Sequence, residues 1–145
     1  FIPGITSIPD LPPYKLIEAC INKNTNINDV GFFGVPGIVW SIILGDVAAV
    51  STFIANNASL TIEDEMGNNH VMFWAAATYQ AVSDDYTYQM RMIEIMSLLG
   101  GLKNTTDVKV NFIGKKPCDY LDNTAKSELS NRYQRNQKIA QSYRQ

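Results

Sequence analysis

Glycine-centred polar turns return along this chain at regular intervals, and their spacing constrains the fold more than any other feature of the sequence. Gly34 and Gly67 are 33 positions apart, and Gly114 follows 47 positions later, which is 33 plus an insertion of 14. A return at a fixed period is typical of repeat architectures, in which each unit buries its apolar face only against its neighbours.

The segments between these turns have the periodicity of short amphipathic helices. Asp46 is positioned to cap the first of them, since its carboxylate can accept hydrogen bonds from free amides of the first turn. Gly100 and Gly101 are expected to end a later helix, which is predicted to start near Gln89. The two predicted apolar faces consist of Val47, Val50, Phe53 and Ile54 in the first helix and of Met92, Ile93, Ile95, Met96 and Leu99 in the second.

These turns and helix starts resemble those of the ankyrin-repeat family, whose pattern reads D-x-x-G-x-T-P-L-H-x-A-A-x-x-G-H over a period of 33 residues. The clearest local match is the third turn, where residues 114–121 (Gly-Lys-Lys-Pro-Cys-Asp-Tyr-Leu) lie on G-x-T-P-L-H-x-A. In the second turn, Asp64 and Gly67 occupy the D-x-x-G positions. The sequence departs from the pattern at His70, where proline is usual, and at Trp74, where a small alanine is usual.

The resemblance implies an all-α fold, an ankyrin-like helical solenoid of three to four repeats joined by β-turn or hairpin connections. Residues 1–12 would form an N-terminal extended segment and residues 13–145 the repeat domain. Residues 16–21 would be a helix of an earlier repeat, and residues 125–143 a polar capping helix. The insertion is expected at about 78–90, in the link between two helices of one repeat. Its tyrosines suit either a contact surface or a loop folded over the helices.

Composition excludes several functional classes. The net charge is −2 and the pI is 5.3, which argues against a nucleic-acid partner, and the longest apolar runs are seven residues, far short of a membrane span. One histidine and two cysteines are too few for a structural zinc site with four Cys/His ligands. We therefore expect one soluble domain without a cofactor. Because the chain begins at Phe1, we interpret it as a processed form or an excised piece.

No set of residues predicts catalysis. His70 is expected to be a turn residue that hydrogen-bonds locally, and the adjacent Asp84 and Asp85 to be solvated loop residues. The resemblance places Cys20 and Cys118 at opposite ends of the array, so both are expected to be free thiols. Free thiols are consistent with an intracellular, cytoplasmic protein.

The residues at the tips of the turns are the predicted partner-binding site. Surface turns are normally polar, so apolar side chains there suggest a contact surface. The alternative is that the Pro-rich N-terminal segment covers the tips of the first turn. The resemblance assigns partner binding to the residues that flank the turn glycines, which are Phe32, Phe33, Val35, Met66, Asn68, Phe112, Ile113 and Lys115.

The predicted function is therefore protein–protein recognition as an adaptor or scaffold, by a domain that is a monomer on its own. The concave face of the solenoid and the apolar turn tips would bind another protein. Two alternatives remain open at this point. The chain could be a regulatory or targeting part of a larger enzyme, or a pathogen effector that engages a host protein.

Overall fold

The computed structural model describes residues 27–28 and 34–144. These residues are mostly helical and include no β-strand, which confirms the expected all-α class. The chain divides into two compact units between Ser59 and Leu60. The predicted features of residues 1–26, including the extended segment, the helix at 16–21 and Cys20, lie outside the described residues, as do Phe32 and Phe33.

The first unit contains a pair of short helices, α1 (Gly37–Ile43) and α2 (Val47–Ala55). Asp46 caps α2 as predicted, because its carboxylate accepts a hydrogen bond of 2.9 Å from the amide of Ala49. The two helices pack closely at Gly37, where an added Cβ atom would lie 2.5 Å from the ring of Phe53. The buried apolar side chains of this pair are Ile38, Val39, Ile42, Ala49, Val50 and Phe53.

The second unit is built around α3 (Met72–Ala81) and α4 (Tyr86–Leu98). After them come α5 (Leu102–Thr106), a 3₁₀ helix (Pro117–Tyr120) and α6 (Asn123–Arg144). The apolar face predicted for α4 is confirmed, since all five of its residues are buried. The core of this unit consists of Val71, Met72, Phe73, Ala75, Ala76, Tyr79, Met92, Ile93, Ile95, Met96, Leu99, Leu121, Ala125 and Leu129.

The link between α3 and α4 differs from the predicted loop at 78–90. Only residues 82–85 lie outside the helices, because α4 begins at Tyr86, three residues before the predicted start. Asp85 caps it, with its carboxylate 3.0 Å from the amide of Tyr88. The longer interval between the second and third turns is instead filled by longer helices, of 10 and 13 residues against 7 and 9 in the first unit, and by the 5-residue α5.

The last helix covers the range in which the sequence predicts a polar terminal helix. Asp122 caps it through a hydrogen bond of 2.8 Å from the amide of Ala125, and an ion pair between Glu94 and Arg132 joins it to α4. Gly100 and Gly101, both with positive φ, end α4 as expected. Within the described ranges, no helix combines the length and apolarity that crossing a bilayer requires.

Candidate partner-binding surface

The second and third turns have the same internal construction. In the second turn, the carboxylate of Asp64 accepts hydrogen bonds from the amides of Met66, at 2.9 Å, and Asn68, at 3.0 Å. In the third turn, the side-chain oxygen of Asn111 accepts from the amides of residues 113 and 115, at 3.2 and 2.9 Å. In both turns the acceptor lies three residues before a glycine with positive φ, Gly67 or Gly114. An Asp or Asn at this position lets the turn close on its own side chain.

The two turns are hydrogen-bonded to each other. The amide of Phe112 donates to the carbonyl of Met66 at 2.9 Å, and the side-chain amide of buried Asn111 donates to the Asn68 side chain at 3.0 Å. A third bond of 3.0 Å runs from the side chain of Asn69 to the carbonyl of Lys109. These bonds hold the two turns side by side in one register.

The third turn is also anchored to the 3₁₀ helix through Tyr120. The Asn111 side chain donates to the hydroxyl of Tyr120 at 3.3 Å. The ammonium group of Lys115 lies 5.5 Å from the centre of the Tyr120 ring, a cation–π contact. The side chain of Lys116 donates to the carbonyl of Thr106 at 2.9 Å, which ties the turn to the end of α5. The turn is therefore held from three directions.

Four large apolar side chains are exposed on these two turns, and we call them the turn-tip surface. Phe112 is 73% exposed, Ile113 58%, Met66 51% and Val110 50%. The ring of Phe112 lies over Gly67, where an added Cβ atom would come within 2.5 Å of it. Apolar groups on a turn held so firmly cannot move into the core of the described second unit, so they stay at its surface, where another molecule can cover them.

The structure places the predicted site residues in different settings. Met66, Phe112 and Ile113 come together on the turn-tip surface, and Lys115 is exposed beside them. Asn68 is half-buried, and both polar atoms of its side chain are used within the turns, by Asp64 at 2.8 Å and by Asn111. Val35 is half-buried in the first unit.

Sequence reasoning missed Val110 and Asn111. Val110 lies at the start of the third turn, just before Asn111, and falls outside the family positions that the resemblance assigns to binding. Asn111 had a signal in the sequence, since its offset from Gly114 equals that of Asp64 from Gly67. Equal offsets indicate that the two side chains close their turns in the same way.

The remaining candidates for chemistry have structural roles. His70 is buried, and its Nδ1 atom accepts a hydrogen bond of 3.0 Å from the amide of Met72, as expected for local bonding. Burial lowers the pKa of His70. Asp84 and Asp85 are both exposed, as expected, and Asp85 also caps α4. Cys118 is a half-buried free thiol on the 3₁₀ helix.

A cleft of about 210 Å³ lies where the end of α3 meets the start of α6, and Tyr79 and Asp122 line it. The Tyr79 hydroxyl donates to the Asp122 carboxylate at 3.0 Å. Burial, together with this carboxylate, raises the pKa of Tyr79 to about 12. Asp119, which also lines the cleft, accepts from the amide of Lys116 at 2.7 Å. The carboxylates of this cleft thus already have partners within the chain.

In the part of the chain that the structure describes, no group of three or more His, Cys, Asp or Glu side chains is arranged to hold a metal ion. The turn-tip surface combines a rigid backbone with apolar side chains that are exposed to water.

Comparison of the chain with protein-family models, with curated proteins and with solved structures finds no match in any of the three.

Proposed function

We propose that this chain is an ankyrin-like protein-recognition module, an adaptor or scaffold that binds a protein partner through its turn-tip surface. The observation that carries this proposal is the exposure of Met66, Val110, Phe112 and Ile113 on two turns that are hydrogen-bonded to each other. Apolar side chains grouped on a rigid surface are characteristic of interaction sites in soluble proteins.

Rigidity supports this function for an energetic reason. A flexible loop loses conformational entropy when a partner orders it, and that loss reduces affinity. The turn that carries Phe112 and Ile113 is already ordered by the four hydrogen bonds of the Asn111 side chain. Binding at these tips therefore requires little further ordering.

Three features favour the ankyrin-like interpretation over an unrelated helical fold. Two successive turns share the D/N-x-x-G construction with positive φ at Gly67 and Gly114. Each helix pair, α1–α2 and α3–α4, is joined by a short link, and the last helix is largely polar. We assign the module to the cytoplasm, where the free thiol of Cys118 stays reduced.

The test is capture of partners from a lysate of the source cells by the immobilised chain. The test variant is Phe112→Ser/Ile113→Ser, which removes the two most exposed apolar side chains of the turn-tip surface. The matched control is Tyr133→Ser on α6, since Tyr133 is 63% exposed and lies on another element. Thermal unfolding of each variant establishes that it is folded.

We expect the wild type and Tyr133→Ser to retain a common set of proteins that the double variant does not retain. We also expect the melting temperature of the double variant to stay close to that of the wild type, because exposed side chains contribute little to the core. Recovery of the same proteins by all three chains contradicts the proposal. A large drop in melting temperature would show instead that the two side chains are part of the packing.

A further inference from the structure

The hydrogen bonds of the two turns fix the order of four chain segments across the turn-tip surface. Within the second turn, residues 63–65 lie beside residues 66–69, since the Asp64 amide donates to the carbonyl of Asn68 at 3.0 Å. The bond from Phe112 to Met66 places residues 109–112 next. The Asn111 amide then donates to the carbonyl of Lys115 at 2.8 Å, which puts residues 115–116 on the far side.

Charge follows this order. Glu63 and Glu65 are exposed on one outer segment, while Lys115 and Lys116 are on the opposite outer segment. The exposed apolar side chains lie between them, and Lys109 is at the base of the third turn beside Asn69. Among the described residues the one ion pair is Glu94–Arg132, so within that part of the chain these glutamates and lysines have no ion-pair partner. The exposed Asp119 carboxylate accepts from the Lys116 amide at the edge that carries the lysines, which leaves that edge with a net positive charge. The surface is therefore acidic at one edge, apolar in the centre and basic at the other edge.

A surface with this order of charges is complementary to a second copy of the same surface. A two-fold axis that lies in the surface and runs along the two central segments brings the acidic edge of one copy over the basic edge of the other. The same rotation stacks the apolar centres on each other. Interfaces of this isologous kind are the commonest way in which identical chains associate.

We propose that the turn-tip surface binds a second copy of this chain in a two-fold symmetric dimer, with Glu65 of each copy facing Lys115 of the other. This inference rests on the proposed function, because it uses the same surface, and it replaces the monomer expected from the sequence. Four exposed apolar side chains per copy form a small interface, so the dimer is reversible and depends on protein concentration.

The test reverses each charge and then both. Sedimentation equilibrium of the 145-residue chain is measured from about 1 µM to about 1 mM. Glu65→Lys and Lys115→Glu should each weaken dimerisation roughly tenfold, because every reversal acts twice across a symmetric interface. The double variant Glu65→Lys/Lys115→Glu should recover the wild-type dissociation constant, since both contacts are again between opposite charges.

A mixture of the two single variants gives the most specific test of the proposed contact. When Glu65→Lys and Lys115→Glu chains are combined in equal amounts, each cross-contact joins opposite charges, so the heterodimer should form where neither variant alone dimerises well. Asp84→Lys and Arg135→Glu are matched controls, since both residues are exposed and neither belongs to the turns. The controls should leave the dissociation constant unchanged. Ile113→Asp tests the apolar centre and should leave a monomer, with far-UV circular dichroism to verify folding.

The inference is overturned if the wild type is monomeric over the whole range, or if the double variant dissociates as readily as the single ones. Equal weakening by the control reversals also overturns it, because the effect would then be one of overall charge. These outcomes are separable from failure of the proposed function. A monomer whose capture of other proteins still depends on Phe112 and Ile113 retains that function without the dimer.

Discussion

The side chain of Asn111 is expected to contribute more to the stability of the second unit than any other residue in the turns. Its nitrogen donates to Asn68 at 3.0 Å and to Tyr120 at 3.3 Å, and its oxygen accepts from the amides of residues 113 and 115 at 3.2 and 2.9 Å. Asn111→Ala removes all four bonds from a buried position. A typical hydrogen bond contributes about 1 kcal/mol net, and longer ones contribute less.

We therefore expect Asn111→Ala to lower the free energy of unfolding by about 2 to 3 kcal/mol, below the four-bond maximum because water can reach the amides of the exposed residues 113 and 115. Asn111→Asp keeps an acceptor for both amides but loses the donor to Asn68 and Tyr120. Its effect should fall between those of the wild type and Asn111→Ala.

The measurement is urea denaturation followed by tryptophan fluorescence. The chain has two tryptophans, Trp40 in the first unit and Trp74 in the second, so a Trp40→Phe background leaves Trp74 to report on the unit that contains Asn111. The denaturant dependence should be unchanged between variants. A loss below about 0.5 kcal/mol, within the usual range for a surface substitution, contradicts the argument. So does an Asp variant as unstable as the Ala variant, because the acceptor would then contribute nothing.

The remaining predictions concern His70 and Asp85. Burial lowers the pKa of His70 in the folded chain. As the pH falls below 6.5, the unfolded chain therefore binds a proton more readily than the folded chain, and the free energy of unfolding should decrease. NMR titration of this single histidine should give a pKa below 6.5, and a pKa at or above 6.5 contradicts the prediction. The variant His70→Asn keeps an acceptor for the Met72 amide and should reduce the pH dependence of stability. Asp85→Ala should cost about 1 kcal/mol through loss of the α4 cap, whereas Asp84→Ala, the adjacent exposed control, should cost much less in the same urea assay; equal losses would show that the cap is not responsible.

Local sequence patterns predicted the local structure well. The cap at Asp46, the helix end at Gly100 and Gly101, and the buried face from Met92 to Leu99 all depend on residues within one or two helical turns of each other. Short-range preferences of this kind are visible in one sequence, because the interacting groups are neighbours along the chain.

The contacts that join the two turns could not be predicted in this way. Asn68 and Asn111 are 43 residues apart, and nothing local indicates that their side chains meet. The start of α4 was misplaced for a different reason. Next to Asp84, Asp85 looks like one of a pair of loop carboxylates, although an aspartate just before an apolar helical stretch is also a typical cap. The repeat spacing alone places the 14 inserted residues in the link between α3 and α4, whereas the structure accommodates the longer interval through longer helices and α5.

Two hydrogen bonds of the second unit span the same number of residues. The bond between Asn68 and Asn111 and the bond between Tyr79 and Asp122 both join positions 43 apart, one before α3 and one near its end. The segments 68–79 and 111–122 therefore run in the same direction and are tied at both ends. A residue added or deleted inside either segment moves the partners of one hydrogen bond out of register with those of the other. A change in the number of residues between 79 and 111 leaves both hydrogen bonds possible. The same protein can thus accept variation in length in one stretch of its sequence and has to conserve length in two others.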